Sequence, residues 1–169
     1  KKTLEKLLTS KRNRNFKKLL IESQKNKKIN IIAEIKKTSP SAGEIIDNYI
    51  PEDIAIEYEK SGAGAISILT ESNYFNGSID HVSIINKKIK LPLLRKDFII
   101  DEYQILESKF YKSDAILLIA SILSDSKIKR FIEIANEIGL DCIIETHNEK
   151  EIERAVKINY PIIGVNNRN

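Results

Sequence analysis

Residues 93–104 read LLRKDFIIDEYQ, and this stretch contains the unit from which the whole fold can be predicted. Two leucines end an apolar run, three charged residues follow, and Asp101 with Gln104 has the spacing of a helix capping box. A short apolar run indicates a strand, and the capping box indicates where the next helix begins. The stretch therefore predicts a buried strand, a charged turn and a helix.

The same unit repeats along the chain on both sides of this stretch. Short apolar runs lie at residues 31–35, 65–69, 91–94, 115–120, 140–144 and 161–165. Runs with so little polar alternation are typical of strands buried on both faces of a parallel sheet. Between them, Pro51 suits a first helical position, and Ser124 and Asn148 suit N-caps. Six β/α units indicate an α/β fold with right-handed crossovers, either a doubly wound open sheet or a (β/α)8 barrel.

The composition excludes several classes of protein. The chain has 169 residues, of which 41% are hydrophobic and 31% charged, as expected for one soluble domain with a substantial core. Its single cysteine, Cys142, rules out an intrachain disulfide framework and a cysteine-based zinc site, and it fits a cytoplasmic location. No apolar run approaches the roughly 20 residues of a membrane span. No glycine-rich nucleotide loop follows any of the predicted strands.

Positive charge is concentrated in the first 28 residues. They hold eleven Lys and Arg against two Glu, although the whole chain carries a net charge of only +4. A basic arm of this kind can bind nucleic acid, which is one alternative function. Leucines and Phe16, however, recur at helical spacing, which favours an amphipathic helix. We predict a helical extension over residues 1–29 and β/α units over residues 30–169, with neither nucleic acid nor a membrane as partner.

Polar side chains gather at the carboxyl ends of the predicted strands, where parallel α/β folds place their active sites. Glu34 and Lys36 are two residues apart and share a face of the first strand. Charges that face a core must be paired or used, because burying them is unfavourable. Lys96 ends the third strand on the opposite face from Arg95, and it suits a proton donor or a phosphate ligand. The alternatives are a structural ion pair for the first strand and a solvated loop for the third.

Two later strands add further candidates. Glu145 ends the fifth strand and suits a general base, the alternative being a cap of the next helix. Asn166 and Arg168 share a face at the end of the sixth strand and suit hydrogen bonds to a carboxylate or a phosphate. The two histidines, His81 and His147, lack the spacing of a zinc site. The residues thus predict a metal-free enzyme site at one end of the sheet, with His81 on the surface.

In these stretches the chain resembles indole-3-glycerol phosphate synthase, a tryptophan-pathway enzyme with a (β/α)8 barrel. The matching segments are IAEIKKTSPS at 32–41, ILTE at 68–71, FNGS at 75–78, LLRKDFIIDEYQ at 93–104, DAILLI at 114–119, IETH at 144–147 and GVNNR at 164–168. The resemblance implies a carbon–carbon lyase of amino-acid biosynthesis that needs no cofactor and no metal. It would convert 1-(2-carboxyphenylamino)-1-deoxyribulose 5-phosphate to indole-3-glycerol phosphate by decarboxylating ring closure and dehydration.

The resemblance also implies roles for the candidate residues. Lys96 matches the catalytic lysine, which protonates the carbonyl oxygen during ring closure, and Glu145 matches a base near the anilino nitrogen. Glu34 and Lys36 match a first-strand pair that binds the substrate carboxylate and shares in proton transfer, and the division of this acid–base work stays open. Four further positions match substrate contacts, namely Ser39, Phe75, Asn166 and Arg168.

The resemblance implies a larger fold than six units. A (β/α)8 domain takes about 250 residues, so we expect a barrel truncated after its sixth strand and preceded by a helical extension that packs over the barrel mouth. The first and sixth strands would then be open edges, and we expect the 169 residues alone to be poorly soluble and inactive. Another phosphosugar-binding barrel enzyme is the alternative function. Fusion to, or association with, other tryptophan-pathway enzymes stays open.

Overall fold

The computed structural model describes residues 14–41, 43–45 and 48–167. The helices are α1 (Phe16–Lys25), α2 (Pro51–Lys60), α3 (Asp80–Asn86), α4 (Glu102–Phe110), α5 (Asp125–Glu137) and α6 (Glu149–Ile158). The strands are β1 (Ile32–Ile35), β2 (Thr38–Ser39), β3 (Gly43–Glu44), β4 (Ala65–Leu69), β5 (Leu93–Lys96), β6 (Ala115–Ile119), β7 (Asp141–Thr146) and β8 (Ile163–Val165). Each of α2 to α6 lies between two successive strands of the main sheet, as the repeating unit predicts.

Six strands form one parallel sheet in the order β1-β4-β5-β6-β7-β8, and β2 and β3 form a separate antiparallel hairpin. The order of the main sheet follows the chain without reversal. A doubly wound sheet would reverse its order at a switch point, whereas a barrel adds each new strand to the same side. The fold is therefore a parallel half-barrel of six strands, which confirms the prediction of a truncated barrel.

Successive residues of the strands point into two different cores, which explains why the apolar runs show so little polar alternation. On the outer face, Ile35, Ile66, Ile68 and Leu93 pack with α2 and α3, and Ile116, Leu118, Cys142 and Ile144 pack with α5. The inner face holds Ile32, Ala65, Leu94, Leu117, Ile119 and Ile143. Full burial of one such Leu or Ile side chain stabilises the fold by roughly 1.5–3 kcal/mol.

Several helices begin where the sequence predicts. Pro51 is the first residue of α2, and the side chains of Ser124 and Asn148 accept main-chain N–H groups of the first turns of α5 and α6. The capping box of α4 is also confirmed, since Gln104 Oε1 accepts the Asp101 N–H at 3.0 Å. These caps satisfy N–H groups that have no partner within the helix. None of the helices in the described ranges is long and apolar enough to cross a membrane.

Two strands run further than the predicted apolar runs. β5 continues to Lys96, which is opposite Leu69 of β4, and β7 continues to Thr146, which is opposite Val165 of β8. The apolar pattern stops earlier because the last residues of each strand are polar, although their main chains remain paired. As a result, Lys96 and Glu145 are held by the sheet itself and do not belong to loops.

Helix α1 closes the inner face at the amino ends of the strands. Phe16 is fully buried in the same apolar cluster as Ala65 and Ala115, the first residues of β4 and β6. The Lys17 N–H donates to Asp141 Oδ2 at 2.8 Å, and Asp141 is the first residue of β7. This part of the extension is therefore fixed to the end of the sheet opposite Lys96 and Glu145.

The position of α1 differs from the expectation of an extension over the barrel mouth. Arg14, which precedes α1, donates to the carbonyls of Asn86, Ile89 and Leu91 at 2.8–3.0 Å, and these residues lie before β5. The physical reason for the difference is the apolar side chain of Phe16, which fills the inner core from the amino-terminal side. Residues 1–13 lie outside the described residues, and so does the part of the expectation that concerns them.

Candidate active site

The carboxylate of Glu34 lies between two lysine ammonium groups at the carboxyl end of the inner face. Lys96 Nζ is 2.6 Å from Glu34 Oε2, and Lys36 Nζ is 2.9 Å from Glu34 Oε1. Burial by itself raises the pKa of the Glu34 carboxyl, but the hydrogen bonds and charges of the two lysines outweigh it, and the pKa lies below its ordinary value. Each of the two ammonium groups can also attract an anionic group of a ligand.

A second carboxylate, that of Glu145, lies at the end of β7. Its Oε1 accepts a hydrogen bond from Asn166 Nδ2 at 3.3 Å and lies 3.4 Å from His147 Nε2. The other ring nitrogen of His147, Nδ1, is 3.4 Å from Glu151 Oε2. Glu151 in turn accepts the main-chain N–H of His147 at 2.8 Å. His147 thus orients the segment beside Glu145, and among the described residues no His, Cys, Asp and Glu side chains group as a metal site would require.

The carboxylates of Glu34 and Glu145 and the two lysines line one cavity of about 400 Å³. Its polar residues are Glu34, Lys36, Glu71, Lys96, Asp97, Glu145 and Asn166, and its apolar residues are Leu69, Phe75, Phe98, Leu117 and Ile119. A second cavity of about 330 Å³ adjoins it on the inner face and shares Glu34, Lys96, Leu117, Glu145 and Asn166 with it. Volumes of this size suit a small molecule. The apolar residues of the larger cavity, which we call the aromatic wall, and its charged residues together allow the site to hold a ligand that combines a ring with anionic groups.

A buried network behind Lys96 fixes the end of β5. Arg95 points to the outer face, as alternation predicts, and only 4% of it is exposed. Its guanidinium donates to Asp97 Oδ2 at 2.9 Å, to Glu107 Oε2 at 2.8 Å and to Thr70 Oγ1 at 3.1 Å. These contacts join the ends of β4 and β5 to α4. The main chain that carries Lys96 is therefore held from behind.

Six of the eight predicted site residues line this cavity, namely Glu34, Lys36, Phe75, Lys96, Glu145 and Asn166. Ser39 is buried in the hairpin of β2 and β3 and is not among the described residues that line it. Arg168 lies outside the described residues. The sequence analysis assigned no role to Glu71 or Phe98, which also line the cavity. A polar residue at the carboxyl end of a strand identified the other candidates, and Glu71, two residues after β4, has the same property.

Cys142 and His81 have no role in the site, and the position of His81 requires a correction. Cys142 is a fully buried core residue, and burial raises the pKa of its thiol to about 12. His81 does not lie on the surface as predicted, because its ring is half-buried and packs on Tyr49 with the ring centroids 5.5 Å apart. Burial lowers the pKa of His81.

Comparison with known proteins gives consistent results for nearly the whole chain. Residues 2–169 match the family model for indole-3-glycerol phosphate synthase. The indole-3-glycerol phosphate synthase of Endomicrobium trichonymphae is 51% identical over 166 residues, a match that covers 98% of this chain and 63% of that protein. The enzyme of the same name from Leuconostoc mesenteroides is 50% identical over 150 residues, which cover 88% of this chain and 57% of that protein. The chain thus spans roughly three fifths of the length of these curated relatives.

Solved structures with a similar backbone are distant in sequence. A crystal structure of 3-hexulose-6-phosphate synthase has a TM-score of 0.63 at 11% identity and covers 82% of this chain and 66% of that chain. A mandelate oxidase mutant with (S)-mandelic acid has a TM-score of 0.61 at 8% identity and covers 80% of this chain and 49% of that chain. At such identities the likeness concerns the fold alone.

Proposed function

The chain belongs to the indole-3-glycerol phosphate synthase family, and from this premise we propose that its cavity converts 1-(2-carboxyphenylamino)-1-deoxyribulose 5-phosphate to indole-3-glycerol phosphate. The observation that carries the proposal is the Glu34 carboxylate between Lys96 and Lys36, in one cavity with Glu145. The reaction needs a proton donor, a proton acceptor and cations for an anionic substrate. These four side chains supply all of them.

Ring closure is the step assigned to Lys96. The ring carbon that bears the carboxylate attacks the ketose carbonyl carbon, and the Lys96 ammonium gives a proton to the carbonyl oxygen. Carbon dioxide then leaves, and the electron pair of the broken bond restores the aromatic ring. Glu34 Oε2 lies 2.6 Å from Lys96 Nζ, so its carboxylate positions the group that gives up the proton.

Dehydration is the step assigned to Glu145. The new hydroxyl group leaves as water after it receives a proton, and Glu145 removes a proton at or beside the anilino nitrogen. Asn166 holds the Glu145 carboxylate through its amide hydrogen. The proton donor of this step is Lys36 or Lys96, since both ammonium groups contact Glu34 in the same cavity.

Substrate binding divides between the two sides of the cavity. The aromatic wall with Phe75 suits the planar ring, and the two ammonium groups beside Glu34 suit the substrate carboxylate. We include Ser39 and Arg168 as further substrate contacts, since both follow the carboxyl ends of strands of the main sheet. The proposal includes no cofactor, no metal, no nucleic acid and no membrane. It places the activity in tryptophan biosynthesis in the cytoplasm.

The test is an assay of the full-length gene product with the proposed substrate, followed by the absorbance of the indole product and by release of carbon dioxide. Formation of both products in equal amounts, lost in Lys96→Ala, supports the proposal. Binding of phosphosugars without any indole product would favour a different phosphosugar enzyme. Salt-sensitive binding of nucleic acid, without indole product and without phosphosugar binding, would favour the basic extension as the functional element.

A further inference from the structure

The loop between β4 and α3 is attached to the end of β4 by one buried carboxylate, that of Glu71. Its two oxygens accept the main-chain N–H groups of Asn73 at 2.8 Å, Tyr74 at 2.6 Å and Phe75 at 3.3 Å. Only 9% of Glu71 is exposed. Hydrogen bonds to an ionised acceptor are stronger than those between neutral groups. Three of them on a single side chain fix the path of a loop that is otherwise exposed.

The main chain of the same loop is held at its far end. The Gly77 N–H donates to the Glu71 carbonyl oxygen at 2.8 Å. A Cβ at Gly77 would lie 2.5 Å from the Leu69 carbonyl oxygen and 2.8 Å from that of Glu71, so only glycine allows this close approach. The two ends of the loop, Glu71 and Gly77, are therefore held next to each other.

The loop carries part of the aromatic wall of the cavity. Phe75 lines the cavity directly. Tyr74 packs edge-on against Phe98, with ring centroids 6.5 Å apart and an interplanar angle of 88°. Phe98 lines the cavity as well. The two rings that line the cavity thus depend, directly or through Tyr74, on a loop that Glu71 holds.

We propose that Glu71 is a positioning residue, which holds this loop so that Phe75 stays in the cavity and binds the planar aromatic ring of the substrate. The inference rests on the proposed function, which supplies a substrate with such a ring. Glu71 lines the cavity, but three main-chain donors occupy most of the acceptor capacity of its carboxylate. It therefore acts through the loop and not on the reacting atoms.

The kinetic test uses Glu71→Ala, Phe75→Ala and the double variant in the full-length protein. We expect Glu71→Ala to raise KM about tenfold and to change kcat by less than about twofold, because ring binding is lost and the acid–base groups stay in place. In the double variant KM should not exceed that of the more strongly affected single variant. Additive increases in KM, or a loss confined to kcat, would overturn the proposal.

A binding measurement separates this inference from the proposed function. Anthranilate is the probe, and its own fluorescence reports its binding. We expect about tenfold weaker anthranilate binding in Glu71→Ala, together with faster amide hydrogen exchange in residues 72–77. Unchanged exchange or unchanged binding overturns the inference even if the protein is an active synthase. Weaker binding and faster exchange support it even if no indole product is formed.

Glu59→Gln is the matched control. Glu59 also accepts a main-chain N–H, that of Lys90 at 2.8 Å, but this bond is exposed to solvent beside α2, away from the cavity. We expect this variant to leave KM, anthranilate binding and exchange in residues 72–77 unchanged. Glu71→Gln keeps one acceptor oxygen and should fall between the unaltered protein and Glu71→Ala. An effect of Glu59→Gln as large as that of Glu71→Ala would contradict the specific role of Glu71.

Discussion

Lys96 Nζ contacts Glu34 Oε2 at 2.6 Å, although 62 residues separate the two along the chain. One strand, β4, lies between their strands in the sheet. Both side chains point to the inner face and line the same cavity. The hydrogen bond joins Lys96, the proposed acid of ring closure, to the carboxylate that positions it.

Lys96→Ala should reduce kcat by roughly two to four orders of magnitude, the usual range for loss of a general acid. The substrate should still bind, because the aromatic wall and Lys36 are untouched. Steady-state kinetics of the indole product measures this. Lys60→Ala is the control, since Lys60 also lies 2.8 Å from a carboxylate, that of Glu57, but on the exposed surface of α2. A kcat of Lys96→Ala within tenfold of the unaltered protein would contradict the role of Lys96.

Glu34 should make the free energy of unfolding depend on pH in acid. Its pKa in the folded protein is below the ordinary value of 4.5, so its stabilising contribution is complete above pH 4.5 and is lost as the pH falls through the lowered pKa. Glu34→Gln removes the titrating group. Urea unfolding between pH 3 and about 6 should therefore show a shallower acid decline in this variant. An equally steep decline would mean that other carboxylates are responsible.

Asp114 should contribute with the opposite sign. Burial raises its pKa to about 6, although the Leu93 N–H and Arg14 act to lower it. The folded-state pKa lies above the ordinary value of 3.8, so the stabilising contribution is complete below that value and is lost as the pH rises through about 6. In Asp114→Asn this loss between about pH 4 and 6 should disappear.

The Asp114 measurement is urea unfolding across the same pH range, with Asp80→Asn as an exposed control. The side-chain amide that Asp114→Asn introduces can still accept the Leu93 N–H through its oxygen, so the fold should be retained. A pH dependence in Asp114→Asn that matches that of the unaltered protein would rule out Asp114 as its source.

Arg95→Lys should lower the free energy of unfolding by roughly 2–4 kcal/mol, because one ammonium group cannot replace a guanidinium that donates to five different residues. Asp97 and Glu107 would lose guanidinium donors at partly buried positions. Arg130→Lys is the matched control. It also removes a guanidinium bonded to a carboxylate, that of Glu102, but on the exposed surface, so its effect should be below about 1 kcal/mol. Equal effects of the two variants in urea unfolding would contradict the importance of the buried network.

Strand alternation explains how much of this site could be predicted from the sequence. The period of two residues correctly separated Lys96 from Arg95 and put Glu34 on the inner face. Capping rules placed the starts of several helices, because a cap is a local property of a few residues. The parallel order of the strands then brought their carboxyl ends together, as the repeating unit predicts.

Contacts that depend on the path of a loop could not be predicted in this way. The bonds of Glu71 to three main-chain N–H groups follow no periodic pattern, since they depend on how residues 72–77 turn. The position of α1 was also beyond the sequence. Its amphipathic pattern shows that Phe16 is buried, but it contains no information about which end of the sheet buries it.

The bond between Lys17 and Asp141 has a consequence for the order of events during synthesis. Its two partners are 124 residues apart in the chain. At about 5–20 residues per second, the ribosome needs roughly 6–25 seconds to add β7 after α1 has been made. Throughout this interval the sheet on which the apolar side of α1 packs, including Phe16, is incomplete. The apolar side chains of this ten-residue segment therefore stay exposed for seconds, and the helix gains most of its stability only when it packs on the finished sheet.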